Sequence, residues 1–150
     1  MADATTQGPH LLLYDGECGF CHWAVRFVLA RDRKGLFHFA ALQSAAAARV
    51  LAPFGGRPAD LTTFYVLSNY QGHAPVLRSR SAAAFVVMDT LGWPWKALSA
   101  ARILPRPWAD AAYDLVARHR HTILGREEAC IVPRPEHRAR FLDADEVASR

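Results

Sequence analysis

The stretch Leu11 to Trp23 constrains this chain more than any other. It reads Leu-Leu-Leu-Tyr-Asp-Gly-Glu-Cys-Gly-Phe-Cys-His-Trp. Leu11–Tyr14 is a short apolar run of the kind a buried strand presents, and Asp15-Gly16 breaks it. From Cys18 onward Phe20, Trp23, Ala24, Phe27 and Val28 recur at threes and fours, which predicts a helix ending near Arg33 with Gly35 as its stop. Strand, tight turn, Cys-x-x-Cys and helix therefore follow one another without a gap. A cysteine pair at such a junction is compatible with three chemistries: a redox centre, half of a zinc site, or two inert buried thiols.

The pattern beyond this stretch narrows the fold. Leu36–Ala41 predicts a second strand and Gln43–Leu51 a short alanine-rich helix. Pro53–Pro58 is a loop by its prolines and glycines. Thr62–Leu67 and Pro75–Arg78, separated by the turn Ser68–Gly72, predict a hairpin. Ser81 is placed to cap a helix Ala82–Leu91 that Gly92 ends. Helical segments Trp95–Leu104 and Trp108–Leu124 flank the break Pro105-Arg-Pro107; Ile131–Pro135 is extended, and a polar tail follows. The β-α-β beginning requires a parallel pair, and the hairpin adds an antiparallel one. A mixed four-stranded sheet with flanking helices, α/β in class and thioredoxin-like in order, is the expected architecture. Residues 1–9 are expected to be a disordered lead, and 10–150 one domain with a C-terminal helical extension from about residue 93.

Composition excludes several classes. A chain of 150 residues with 51% apolar residues can bury a core without disulfides or metal as staples. Three cysteines, Cys18, Cys21 and Cys130, are too few for a disulfide framework. The first ten residues have no basic-then-apolar leader pattern, and no apolar run approaches the ~20 residues of a membrane span. A cytoplasmic protein, without membrane or nucleic-acid partners, is the expectation. The net charge of +4 is concentrated between Arg118 and Arg140, where six arginines face three glutamates, and this reads as a solvated helix face and tail.

In a helix starting near Cys18, unpaired amide protons and the positive end of the helix dipole point at the Cys18 sulfur. Both favour thiolate, the attacking species. Cys18 is thus expected to attack and Cys21, the less exposed of the two, to resolve. Asp15 and Glu17 oppose the thiolate, and a protonated His22, four residues from Cys18, would support it. Asp15 has two readings: a general base for Cys21, or a turn residue bonded to the following amides. Phe20 and Trp23 are expected in the core. A zinc site would need further ligands from Cys130, His119, His121 or His137, all more than 90 residues away, and no second close pair exists. The redox reading is the leading one; zinc-binding or a non-catalytic interaction module is the alternative. Cys130 by itself reads as a small buried apolar residue.

Asp15-Gly-Glu-Cys18-Gly-Phe-Cys21 resembles the Asp-x-x-Cys-x-x-Cys signature of the DCC thiol-disulfide oxidoreductase family. Tyr14 before it, and Tyr113-Asp-Leu-Val-Ala-Arg-His-Arg, Gly125, Cys130, Pro133 and Arg140-Phe-Leu after it, fit the same resemblance, which covers about residues 10 to 142. It implies a thioredoxin-like fold, thiol-disulfide exchange through Cys18 and Cys21 with Asp15 at the site, and no organic cofactor. The implied partners are a protein or small-molecule thiol or disulfide and a separate, unidentified reductant. Glu17 stands where the family often has aspartate, and the charge is kept. Thioredoxins proper place a cis-proline directly before the third strand, whereas here the matching stretch is Asp60-Leu-Thr-Thr-Phe64 and the nearest proline is Pro58.

Overall fold

The computed structural model describes residues 9–55, 64–124 and 134–148. The elements are β1 (His10–Tyr14), α1 (Gly19–Arg31), β2 (Phe37–Ala41), α2 (Ala45–Leu51), β3 (Tyr65–Ser68), β4 (Val76–Ser79), α3 (Arg80–Leu91), α4 (Arg106–Leu124) and α5 (Ala144–Ala148). Stretches of 3-10 helix run over Ala52–Phe54, Trp95–Ile103 and Pro135–Arg140. The sheet order is β2-β1-β3-β4. β1 and β2 are parallel, joined by the α1 crossover, while β3 is antiparallel to both β1 and β4. Asn69 turns the hairpin in the left-handed region (φ 54), which asparagine tolerates better than most residues. The mixed four-stranded α/β architecture agrees with the thioredoxin-like expectation.

The central strand is buried on both faces, which is why Leu11–Tyr14 shows no polar alternation. Leu11 and Leu13 pack with Ala40, Leu67 and, from α2, Ala47 and Leu51. Leu12 and Tyr14 point to the opposite face, where α1 contributes Cys21, Val25 and Val28 and α3 contributes Ala83, Val86 and Val87. Cys18 belongs to this second layer.

Several boundaries differ from expectation. The hairpin strand begins at Tyr65; Thr62 and Thr63 lie outside the described residues. α3 begins at Arg80, with Ser79 as its N-cap. Ser81 does not cap it; its hydroxyl donates to the Asp110 carboxylate and ties α3 to α4. The segment after Pro94 is 3-10 helix with no buried residue, so it has little packing to hold it in α-helical register.

The expected polar tail is instead folded back along β2. Phe141 forms a parallel bridge with Phe39, and their rings stack with centroids 5.2 Å apart. Leu142 N donates to the Phe39 carbonyl at 2.9 Å. Arg140 donates to the Phe37 carbonyl at 2.9 Å and to the buried Asp32 carboxylate, which also accepts from Phe37 N at 2.8 Å. Asp143 accepts from Ala41 N, and Glu146 accepts from the Ala45 and Ala46 amides, each at 2.9 Å. The tail thereby covers an otherwise open sheet edge and the positive end of α2. Charge explains the misreading: Asp32, Arg140, Asp143 and Glu146 each look solvated until their partners, 100 or so residues away, are seen. Arg134 and Arg138 pair with Glu136 and Asp145, as a solvated charged face would.

Candidate active site

The site is built where β1 ends. Asp15 leaves the sheet, and its Oδ1 accepts from Glu17 N at 3.0 Å and from Gln43 Nε2 at 2.8 Å. The Gln43 Oε1 in turn accepts from Gly16 N at 3.0 Å. Gln43 therefore clasps the cysteine turn from the loop between β2 and α2. A Cβ at residue 16 would lie 3.2 Å from Gln43 Oε1 and 3.3 Å from Ala41 Cβ, so a larger residue would press on the Gln43 clasp by a few tenths of an ångström. Sequence reasoning missed Gln43, since a lone glutamine far along the chain carries no pattern.

Cys18 is the N-cap residue of α1, in extended conformation (φ −98, ψ 116). Its sulfur accepts from Cys21 N at 3.4 Å. The thiol thus takes the place of the usual serine or aspartate cap, with a backbone N–H and the helix dipole directed at it. Cys21 follows one turn later, and both residues are in the thiol form. Both are buried, Cys18 at 0% and Cys21 at 5% exposure, so the greater exposure expected for Cys18 is not seen. The cap interaction turns the Cys18 sulfur inward over the helix end, while Cys21 lies on the flank of α1.

The other expected residues fall as follows. Glu17 is exposed, its amide held by Asp15. His22 is 1% exposed, its Nε2 donating to the Gly16 carbonyl at 2.7 Å and its ring edge-on to Tyr14. It braces the turn from beneath and is not a solvent-facing charge over Cys18. For Asp15 the turn-residue bonding is present as drawn from the Asp-Gly pair. Phe20 is only partly buried and Trp23 is 50% exposed, contrary to the core expectation. The face of α1 toward the sheet is Cys21, Val25 and Val28, one position removed from the aromatic stripe. The stripe instead forms a row of tilted ring contacts, Phe20–Trp23–Phe27, with centroid spacings of 5.7 and 5.4 Å.

Among the distant candidate metal ligands, His119 is exposed and its Nδ1 donates to the Leu115 carbonyl at 2.8 Å. His137 lies in the tail; Cys130 and the His121 side chain are outside the described residues, as is the stretch before Phe64 where a cis-proline was sought. Among the described residues no three His, Cys, Asp or Glu side chains are grouped to hold a metal ion, and no helix is long and apolar enough to cross a membrane.

The chain is 32% identical over 133 residues to the uncharacterized protein YuxK of Bacillus subtilis, covering 88% of this chain and 93% of that one. It is 29% identical over 121 residues to the DCC family protein At1g52590, chloroplastic, of Arabidopsis thaliana, covering 80% of this chain and 67% of that one. No solved structure gives a significant match. The family description of DCC1-like thiol-disulfide oxidoreductases matches residues 12–126, a span that includes the whole cysteine turn and four of the five helices. With that match over most of its length, the chain belongs to the DCC1-like thiol-disulfide oxidoreductase family.

Proposed function

We propose that this protein is a cytoplasmic thiol-disulfide oxidoreductase whose working group is the Cys18–Cys21 pair, cycling between dithiol and disulfide in a single domain. The observation that carries the reading is the Cys18 sulfur at the N-cap of α1, accepting the Cys21 amide. A thiol in that position is the better leaving group and the more readily ionised of the two. Its i+3 neighbour, Cys21, closes the disulfide in this reading. No organic cofactor takes part: two electrons pass between the pair and a thiol or disulfide substrate. A separate cellular thiol reductant restores the dithiol after a disulfide substrate is reduced, and a disulfide oxidant restores the Cys18–Cys21 bond after a thiol substrate is oxidised. Asp15 acts as a positioning residue in this reading. Two donors on one carboxylate oxygen hold it in the turn.

Equilibration against glutathione redox buffers with thiol trapping tests this. The expected result is one intramolecular Cys18–Cys21 disulfide with a defined midpoint. Failure to form it at any poise refutes the proposal. Stoichiometric zinc in the purified protein, lost on Cys18→Ser, would favour the metal-binding alternative.

A further inference from the structure

α1, α3, α4 and the 3-10 segment Trp95–Ile103 enclose a groove of about 760 Å³. Its walls include Phe20, Trp23, Phe64, Trp95 and Tyr113, and among the described residues none that lines it is charged. Cys21 is part of the wall; Cys18 is not. The volume is in the ~300–1,000 Å³ range of small-molecule sites. An extended peptide would need backbone partners along its length, and this lining is almost entirely carbon.

Resting on the oxidoreductase reading above, we infer that the substrate is a neutral, lipophilic small-molecule thiol or disulfide bound in this groove, and that the mixed disulfide forms on Cys21. The order is the reverse of the one drawn from sequence. Of the two cysteines, Cys21 is the one on the groove wall. A substrate thiolate attacks Cys21 Sγ, forming a substrate–Cys21 disulfide and breaking the Cys18–Cys21 bond. The electron pair goes to Cys18 Sγ, which leaves as a thiolate held by the Cys21 amide and the helix N-terminus. A second substrate thiolate attacks the bound substrate's sulfur, giving the substrate disulfide and the Cys21 thiolate. The substrate is oxidised by two electrons and the pair reduced by two; a disulfide of the glutathione class reoxidises it. Disulfide reduction runs through the same bonds backwards, with Cys18 as the resolving thiol.

In a Cys130→Ser background, Cys18→Ser and Cys21→Ser are each treated with dipyridyl disulfide, a neutral aromatic probe, and the adduct is located by peptide mass mapping. The thiol left on the groove wall should react about tenfold faster than the one at the helix cap. Equal or faster labelling of Cys18 overturns the inference. With Cys18→Ser, the neutral probe should exceed the dianionic dithiobis(nitrobenzoate) by about tenfold, each rate normalised to glutathione as the thiol, since a charge is not stabilised in a carbon-lined site. Ala112→Trp and, separately, Val116→Trp place bulk in the groove from exposed positions of α4 and should abolish that preference. No preference, or one that survives both substitutions, overturns the inference. So does a concentration-dependent dimer that either substitution dissociates, because the occupant is then a second copy of the chain. The wild-type glutathione equilibrium separates the two levels: a disulfide that forms there while the probes fail leaves the oxidoreductase reading standing and removes only this one.

Discussion

Phe141→Ala tests whether the C-terminal segment is an integral part of the fold. Phe141 is 5% exposed, stacked on Phe39 and packed in the same layer as the two cysteines. A buried phenylalanine hides about 150–250 Å², worth roughly 4–6 kcal/mol at about 25 cal/mol per Å². Alanine retains part of that area, so truncation should cost about 3 kcal/mol, the lower end of the usual range for such substitutions. With a urea slope of about 2 kcal/mol per M, the midpoint should fall by roughly 1.5 M. Release of the tail alone sets a ceiling on the loss, since the remaining sheet can stay folded when the segment detaches. Unfolding followed by tryptophan fluorescence gives the global cost. Hydrogen exchange at Ala41, Ala45 and Ala46, whose amides are held by Asp143 and Glu146, gives the local one. A midpoint within about 0.3 M of wild type, with those amides still protected, would refute the packing account.

Three further outcomes are expected. His22→Ala removes the donor to the Gly16 carbonyl and opens space beside Tyr14, and should cost about 2–3 kcal/mol by chemical denaturation; a loss under about 0.5 kcal/mol would show that the turn stands without it. Asp15→Asn keeps an acceptor for the Glu17 amide, so exchange with glutathione should stay within about threefold of wild type, whereas a loss of about a hundredfold would assign Asp15 the general-base role. His38 and Tyr70, in contact at 2.6 Å, make stability pH-dependent at both ends. Burial, then Arg140, lowers the His38 pKa below its ordinary 6.5, with Asp32 opposing, so the unfolded chain binds the proton first and stability falls as pH drops from 6.5 toward the folded value. Burial raises the Tyr70 pKa above 10.0, against the hydrogen bond from Gln71, so stability falls again as pH rises above that value. Thermal melts across pH should show both slopes, with His38→Gln removing the acid one; an unchanged acid slope in that variant would clear His38.

The local content of this protein was legible before any coordinates. The apolar run of Leu11–Tyr14, the break at Asp15-Gly16 and the helix after Cys18 depend on neighbours within a few residues, and side-chain periodicity reports such neighbours directly. The β-α-β start and the hairpin leave few ways to order four strands, so the sheet followed. Periodicity ranks the faces of a helix without saying what covers each, and there the structure overruled it. Trp23 and Phe27 line an open groove, Val25 faces the sheet, and Cys21 packs in the core layer while also forming part of the groove wall. The clasp of Gln43 and the return of residues 140–146 along β2 join side chains to partners outside any sequence window. The sequence alone determined that two cysteines stand at a strand-to-helix junction. Which of them lies on the groove wall was decided only by tertiary packing, because both are buried and the helices packed around α1 leave only Cys21 bordering the groove.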